Sequence, residues 1–156
     1  MEVRSAVLAD AEEICAVLRR SITELCAADH RNDPALREPW LANKTPETVR
    51  TWISNPHQCL LVAVEGGKIA GAAAASETGE IILNCVSPDA RFIGASKALM
   101  AALESWLRDK GHASVSLTST QTAHQFYLVL GYHDAGPAEC SPGRVACIPM
   151  RKDLHG

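Results

Sequence analysis

Apolar residues recur along this chain with two different periods, and the switches between them mark out the elements. Residues 2–7 alternate in part and read as a short strand passing into a helix, with Asp10 and Glu13 as a candidate capping box. Ile14, Val17, Leu18, Ile22 and Leu25 then fall on one helical stripe, and that helix is expected to end near Ala27 or Ala28. Residues 29–44 lose the period, carry Pro34, Pro39 and mixed charges, and read as a loop or a broken helix. Thr45 as N-cap and Pro46 at the first helical position open a second helix with Val49, Trp52 and Ile53 inward, closed at Asn55-Pro56.

The apolar runs 59–64 and 69–75 flank Gly66-Gly67, which signals a hairpin of two antiparallel strands. The second run is almost all alanine, which either leaves room over one sheet face or lets a helix pack tightly against it. Residues 80–86 read as a central strand stopped by Ser87-Pro88-Asp89; a helix follows with Leu99, Leu103, Trp106 and Leu107 inward and a Lys110-Gly111 cap. Residues 115–118 form another strand, and Thr122 with Gln125 is a second candidate capping box before Phe126, Val129 and Leu130, ended by Gly131. Two extended segments close the chain, around 132–134 and over 145–150, where Pro149 suits an edge position. The succession predicts a single mixed α/β domain over 1–156 without repeats.

Composition narrows the function classes. With 47% hydrophobic and 21% charged residues the chain has an ordinary globular balance, which argues against disorder. A formal charge of -3 with scattered Lys and Arg lacks the footprint of a nucleic-acid binder. No apolar run reaches the roughly 18 residues of a membrane span, so no membrane insertion is expected. The six cysteines include no Cys-x-x-Cys pair and sit mostly among apolar neighbours, which fits a reducing cytoplasm. The six histidines show no ligand spacing with Cys, Asp or Glu, and no metal site is expected.

One loop carries candidate chemistry. Arg91-Phe92-Ile93-Gly94-Ala95-Ser96 joins a strand to a helix, and the first turn of a helix has unpaired N–H donors and a partial positive end that favour anions. The flanking strands 80–86 and 115–118 are joined by a helical crossover and so should be parallel, which puts the loop at their carboxyl ends, where α/β ligand sites lie. Spacing alone leaves two readings open, since the loop matches neither common phosphate-binding glycine pattern and Gly94 also suits a plain turn.

The succession as a whole resembles the GNAT superfamily of N-acetyltransferases over nearly all of the chain. Arg91, Gly94, Ala95 and Ser96 follow that family's cofactor loop, with Phe92 where a small residue is usual and Ser96 where Gly or Ala is usual. Thr120, Ala123, Phe126-Tyr127 and Gly131-Tyr132 follow its second landmark, with Thr120 in place of Asn. The resemblance implies a mostly antiparallel central sheet with helices on both faces and one parallel strand pair that splays apart. It further implies acetyl-CoA as cosubstrate, held by Cys85, Val86, Arg91, Phe92, Ile93, Gly94, Ala95, Ser96, Thr120 and Tyr127.

The implied reaction is direct attack of an amine, on a small molecule or peptide, upon the thioester in a ternary complex. Tyr127 is the candidate catalytic acid towards the departing thiolate, and backbone N–H groups beside Val86 would take the oxyanion. Glu24, Asp29, His30, Glu80 and Asn84 are considered for the base, and none stands out. Cys85 reads as a packed strand cysteine more readily than as a nucleophile, and Trp40, Trp52 and Trp106 as core or lid residues. A non-catalytic acyl-CoA binding or sensing domain is the rival class. The acceptor pocket is expected from 29–44 and 136–143, and a homodimer through terminal strands would fit the family.

Overall fold

The computed structural model describes residues 1–91, 93–139 and 145–154, so Phe92 in the cofactor loop and residues 140–143 of the expected acceptor pocket lie outside the described residues. Strand β1 (Glu2–Ser5) leads through a 3-10 turn into helix α1 (Ala11–Arg20), which continues as a π-helical turn at Ser21–Leu25 and a short α2 (Ala27–His30). Helices α3 (Pro34–Leu41) and α4 (Pro46–Ser54) precede β2 (Gln58–Glu65), β3 (Lys68–Ser76) and β4 (Glu80–Val86). Helix α5 (Ala95–Asp109) crosses to β5 (Ser114–Thr120), followed by α6 (Gln121–Val129), β6 (His133–Asp134) and β7 (Cys147–Asp153). The broken-helix reading of 29–44 therefore describes that segment, with Asp33 capping α3 by accepting from Ala35 N–H.

The seven strands form one sheet in the order β1-β2-β3-β4-β5-β7-β6. All pairings are antiparallel except β4 with β5. Both faces are covered, because successive strand side chains point to opposite sides. Leu61, Ala73, Ala75 and Ile81 pack with Leu99, Leu103 and Leu107 of α5, while Leu60, Val62, Ala72 and Ala74 pack with Ile14, Leu18 and Val49 of α1 and α4. The β3 alanines are 0–3% exposed, so their small size serves close helix approach on both sides and leaves no vacant face.

Three local readings are corrected. The Asp10 carboxylate does not cap α1; it accepts from Arg4 and from Val7 N–H, while Glu13 reaches across to accept from Ile69 N–H at 2.6 Å. Thr122 is not the α6 cap either, because the helix begins at Gln121 and Thr120 accepts from Ala123 N–H. On α6, Val129 is 75% exposed and Tyr127 is the buried residue. Pro149 is not at a sheet edge: β7 lies between β5 and β6, Pro149 stands opposite Thr118, and its carbonyl accepts from Ala135 N–H at 2.8 Å on the outer side.

The feature that shapes the site is the β4–β5 pair. Their ladder holds only at Glu80↔Ser116 and Ile81↔Leu117, although β4 runs on to Val86 and β5 to Thr120. The register of β4 against β3 jumps from Ala75↔Ile81 to Ala74↔Leu83, leaving Ile82 as an extra residue, and such a bulge bends its strand. Gly71 lets β3 stay close to the far end of β4, since a Cβ there would stand 2.8 Å from the Cys85 carbonyl oxygen and 3.3 Å from Leu99. Gly71→Ala is expected to lower stability by about 1–3 kcal/mol in urea unfolding, because backbone has to move to admit the methyl. An unchanged midpoint would mean that β4 has slack at this crossing.

Candidate active site

Past Ile81, β4 uses only its β3-facing edge. Ser87 N–H donates to Ala70 O at 2.7 Å, and alternation along the strand turns the N–H and C=O of Val86 the other way, into the side that β5 has left. The gap opens on a cavity of about 840 Å³ and on a smaller hollow of about 220 Å³, which share Asn84, Thr120 and Tyr127. Cys85 and Val86 line the larger one.

The loop before α5 enters the same cavity. Arg91, Gly94, Ala95 and Ser96 line it together with Lys97, whereas Ile93 is 44% exposed and is not among the lining residues. Gly94 is the N-cap of α5 at φ +86, a left-handed conformation that suits glycine, and a Cβ there would meet nothing within 4 Å. No side chain caps this 15-residue helix, so the N–H groups of its first turn are left for an anion.

At the opposite end of the gap stands Tyr127, held edge-on against Phe126 and Tyr132 at 5.2 and 5.6 Å between ring centres. Its hydroxyl oxygen accepts from Asn84 Nδ2 at 3.1 Å, which leaves the phenolic proton for another partner. Burial raises the Tyr127 pKa above its ordinary value; the Asn84 bond opposes that and the neighbouring Cys85 adds to it, so the phenol keeps its proton at neutral pH. Asn84 Oδ1 is buried without a hydrogen-bond partner.

Thr120 lines the cavity, but its hydroxyl oxygen already accepts from Ala123 N–H at 3.3 Å as the α6 cap. A second cap comes from far away in sequence. The buried Asp29 carboxylate accepts from Gln121 N–H at 2.9 Å, from Thr122 N–H at 3.3 Å and from the Thr122 hydroxyl. Asp29 is thereby a structural anion at the positive end of α6, not a solvent-facing base.

The other candidate bases are placed as follows. His30 is fully buried, takes Asn32 N–H on Nδ1 at 3.0 Å and donates from Nε2 to Ile22 O at 2.8 Å, so both ring nitrogens are engaged. Glu24 pairs with Arg20 at the surface, and Glu80 borders only the smaller hollow. Burial pushes the Cys85 and Cys26 thiols up to about 12, so neither supplies a thiolate at neutral pH. Cys85 packs with Ala72 and Ala74 as a strand cysteine should.

The remaining wall of the cavity comes from the helices before β2. Leu18, Ile22 and Leu25 contribute from α1 and its π-helical turn, Trp40 and Lys44 from α3 and the segment after it, and Trp52 from α4. Trp40 and Trp52 are thus core-packed and cavity-lining at once, while Trp106 lies on α5 beneath the Lys110 ammonium at 4.9 Å. Lys97 was legible in the sequence as a cation in the first turn of α5. No local signal marks Lys44 or the capping role of Asp29, since both depend on elements distant along the chain. Among the described residues no group of His, Cys, Asp and Glu is arranged to hold a metal ion, and no helix is long and apolar enough to cross a membrane.

Comparison with known proteins agrees with this geometry. Comparison with curated proteins gives no match. Among solved structures, the GCN5-related N-acetyltransferase (aminotransferase, class II) from Rhodopseudomonas palustris is similar at 23% identity, with 97% of this chain and 94% of that one covered and a TM-score of 0.86. The PaiA N-acetyltransferase from Thermoplasma acidophilum, in complex with coenzyme A, is similar at 18% identity over 97% and 98% of the two chains, TM-score 0.81. The aminoglycoside 6'-N-acetyltransferase from Enterococcus faecium is similar at 16% identity over 100% and 98%, TM-score 0.67. These likenesses establish the fold. The family model of the GNAT acetyltransferase domain matches residues 26–154, most of the chain, which therefore belongs to the GNAT family and is an acetyl-CoA-dependent N-acetyltransferase.

Proposed function

We propose that the 840 Å³ cavity is the catalytic site, with the acetyl-CoA pyrophosphate on the first-turn N–H groups of α5 and the pantetheine arm in the gap between β4 and β5. The single observation that carries this assignment is convergence: the uncapped α5 terminus, the unpaired edge of β4 and the Tyr127 hydroxyl all open into one cavity. Lys97 and Arg91 add positive charge beside the phosphates, and the open space at Gly94 admits them. The coenzyme A bound by the PaiA relative is consistent with this fit.

In the reaction the lone pair of a neutral amine attacks the thioester carbonyl carbon, a C–N bond forms and the C–S bond breaks. Val86 N–H faces the gap and takes the developing oxyanion. The Tyr127 O–H gives its proton to the departing thiolate, and the proton lost from the amine restores the balance through solvent. Cys85 takes no covalent part, because its thiol stays protonated. No Asp, Glu or His lines the larger cavity among the described residues, so the amine enters already deprotonated and orientation supplies most of the rate, about 7–11 kcal/mol in favourable cases.

Three measurements follow from this arrangement. Acetyl-CoA at about 100 times its dissociation constant is expected to stabilise the protein by roughly 2.7 kcal/mol, seen as a melting temperature raised by several degrees; no shift at millimolar concentration rejects the binding assignment. Tyr127→Phe is expected to lower kcat at least tenfold with acetyl-CoA affinity unchanged, and a loss under about threefold rejects the acid role. The pH profile of kcat/KM is expected to rise with the fraction of unprotonated acceptor, its midpoint moving with the pKa of whichever amine is supplied. Because the Tyr127 pKa is raised, no falling limb should occur below about pH 10. A midpoint that stays put across amines of different basicity would point to an enzyme base instead.

A further inference from the structure

The charge balance of the cavity is one-sided. Its cationic lining residues are Lys44, Arg91 and Lys97; Cys26, Cys85 and Tyr127 are held in their neutral forms; and no carboxylate lines it among the described residues. Neighbouring acids are spent or turned elsewhere, Asp29 on the α6 terminus, Glu24 and Asp89 on Arg20, and Glu80 at the smaller hollow. Phe92 and residues 140–144, 155 and 156 add no Asp or Glu to the sequence.

The two ends of the cavity also differ in character. Lys97 lies in the first turn of α5, which packs on one face of the sheet, whereas Leu18, Ile22, Trp40 and Trp52 pack together on the other face and form a second wall, beside which Lys44 is tied to α1 through its carbonyl. That wall is apolar and aromatic, with Lys44 as its ionisable cation, half-buried and donating to Asn43 Oδ1 at 2.6 Å. The π-helical turn at Ser21–Leu25 turns Ser21, Ile22 and Leu25 onto the wall, and π-helical turns recur at functional sites.

Resting on the proposed function above, we infer that the acceptor is a small monoamine with an apolar, aromatic-sized body, and that Lys44 excludes polyamines and other polycations. The reacting nitrogen enters neutral, but a diamine or aminoglycoside keeps further ammonium groups, and each meets Lys44 without a carboxylate to offset it. An aromatic body meets Trp40 and Trp52 instead. The pocket therefore differs in specificity from the aminoglycoside acetyltransferase whose fold it shares.

The test is a thiol-release assay with acetyl-CoA and four acceptors, tryptamine and phenethylamine against spermidine and kanamycin. The aromatic monoamines are expected to show kcat/KM at least tenfold above either polycation. Lys44→Glu is expected to raise kcat/KM for spermidine at least tenfold, with Lys44→Ala giving a smaller rise; Trp52→Ala should lower kcat/KM for tryptamine about tenfold at unchanged KM for acetyl-CoA. The melting temperature of each variant checks folding. If spermidine or kanamycin is the better substrate of the unaltered protein, or if neither aromatic amine turns over while acetyl-CoA still raises the melting temperature, the acceptor assignment is overturned and the catalytic site stands. If acetyl-CoA produces no thermal shift at all, the proposed function itself fails.

Discussion

A strand in the middle of a sheet normally satisfies both of its edges, and β4 does so for only two positions. Beyond Ile81 it keeps its ladder with β3 and gives up the one with β5. Unpaired backbone groups in a protein interior cost free energy unless something else bonds them, on the order of 1–3 kcal/mol each. A sheet that opens in this way is therefore built around a visitor that supplies the missing bonds. The bulge at Ile82 produces the divergence, Gly71 holds the far end of β4 down on β3, and the β3 alanines let α5 lie close enough for its N-terminus to reach the mouth of the gap. Remove any of these and the donors of Val86 and of the α5 first turn no longer face the same space.

The second wall of the gap depends on α6, whose N-terminus is secured twice. Thr120 caps it locally and Asp29 caps it from α2, so an element far back in the chain also fixes the helix that carries Tyr127. At its other end Tyr132 packs against Tyr127 and donates to the buried Glu104, which also accepts from Lys152 at 2.8 Å. The phenol is thus positioned from both ends of its helix, and Asn84 fixes its oxygen across the gap. Positioning of that kind is what an acid acting on a single departing atom needs.

How much of this was legible in the sequence divides along physical lines. The elements, the hairpin at Gly66-Gly67, the parallel crossover and the loop at Gly94 all follow from periods and turn residues that act within a few positions. The capping boxes at Asp10/Glu13 and Thr122/Gln125 failed because a carboxylate bonds the best N–H that the fold offers: Glu13 found Ile69 on β3, and the donors of α6 found Asp29, 92 residues away from Gln121. On α6 the buried residue is Tyr127, while Val129, two positions further along the helix, points elsewhere. The cavity wall of Trp40, Lys44 and Trp52 was least legible, since these residues come from separate elements whose convergence no local pattern encodes.

The same electrostatic choice serves both substrates. On the proposed function, Lys44 and Lys97, with no Asp or Glu among the described residues that line the cavity, suit the phosphates of the cosubstrate and disfavour an ammonium beside them. A carboxylate base placed to deprotonate the amine would lie within reach of those phosphates and would weaken their binding. On the same proposal the wall around Leu18, Trp40 and Trp52 acts in the same sense by desolvation, which favours the uncharged amine over its ammonium. The proposed function thus needs no carboxylate base in the cavity, because the neutral nucleophile is the species that fits.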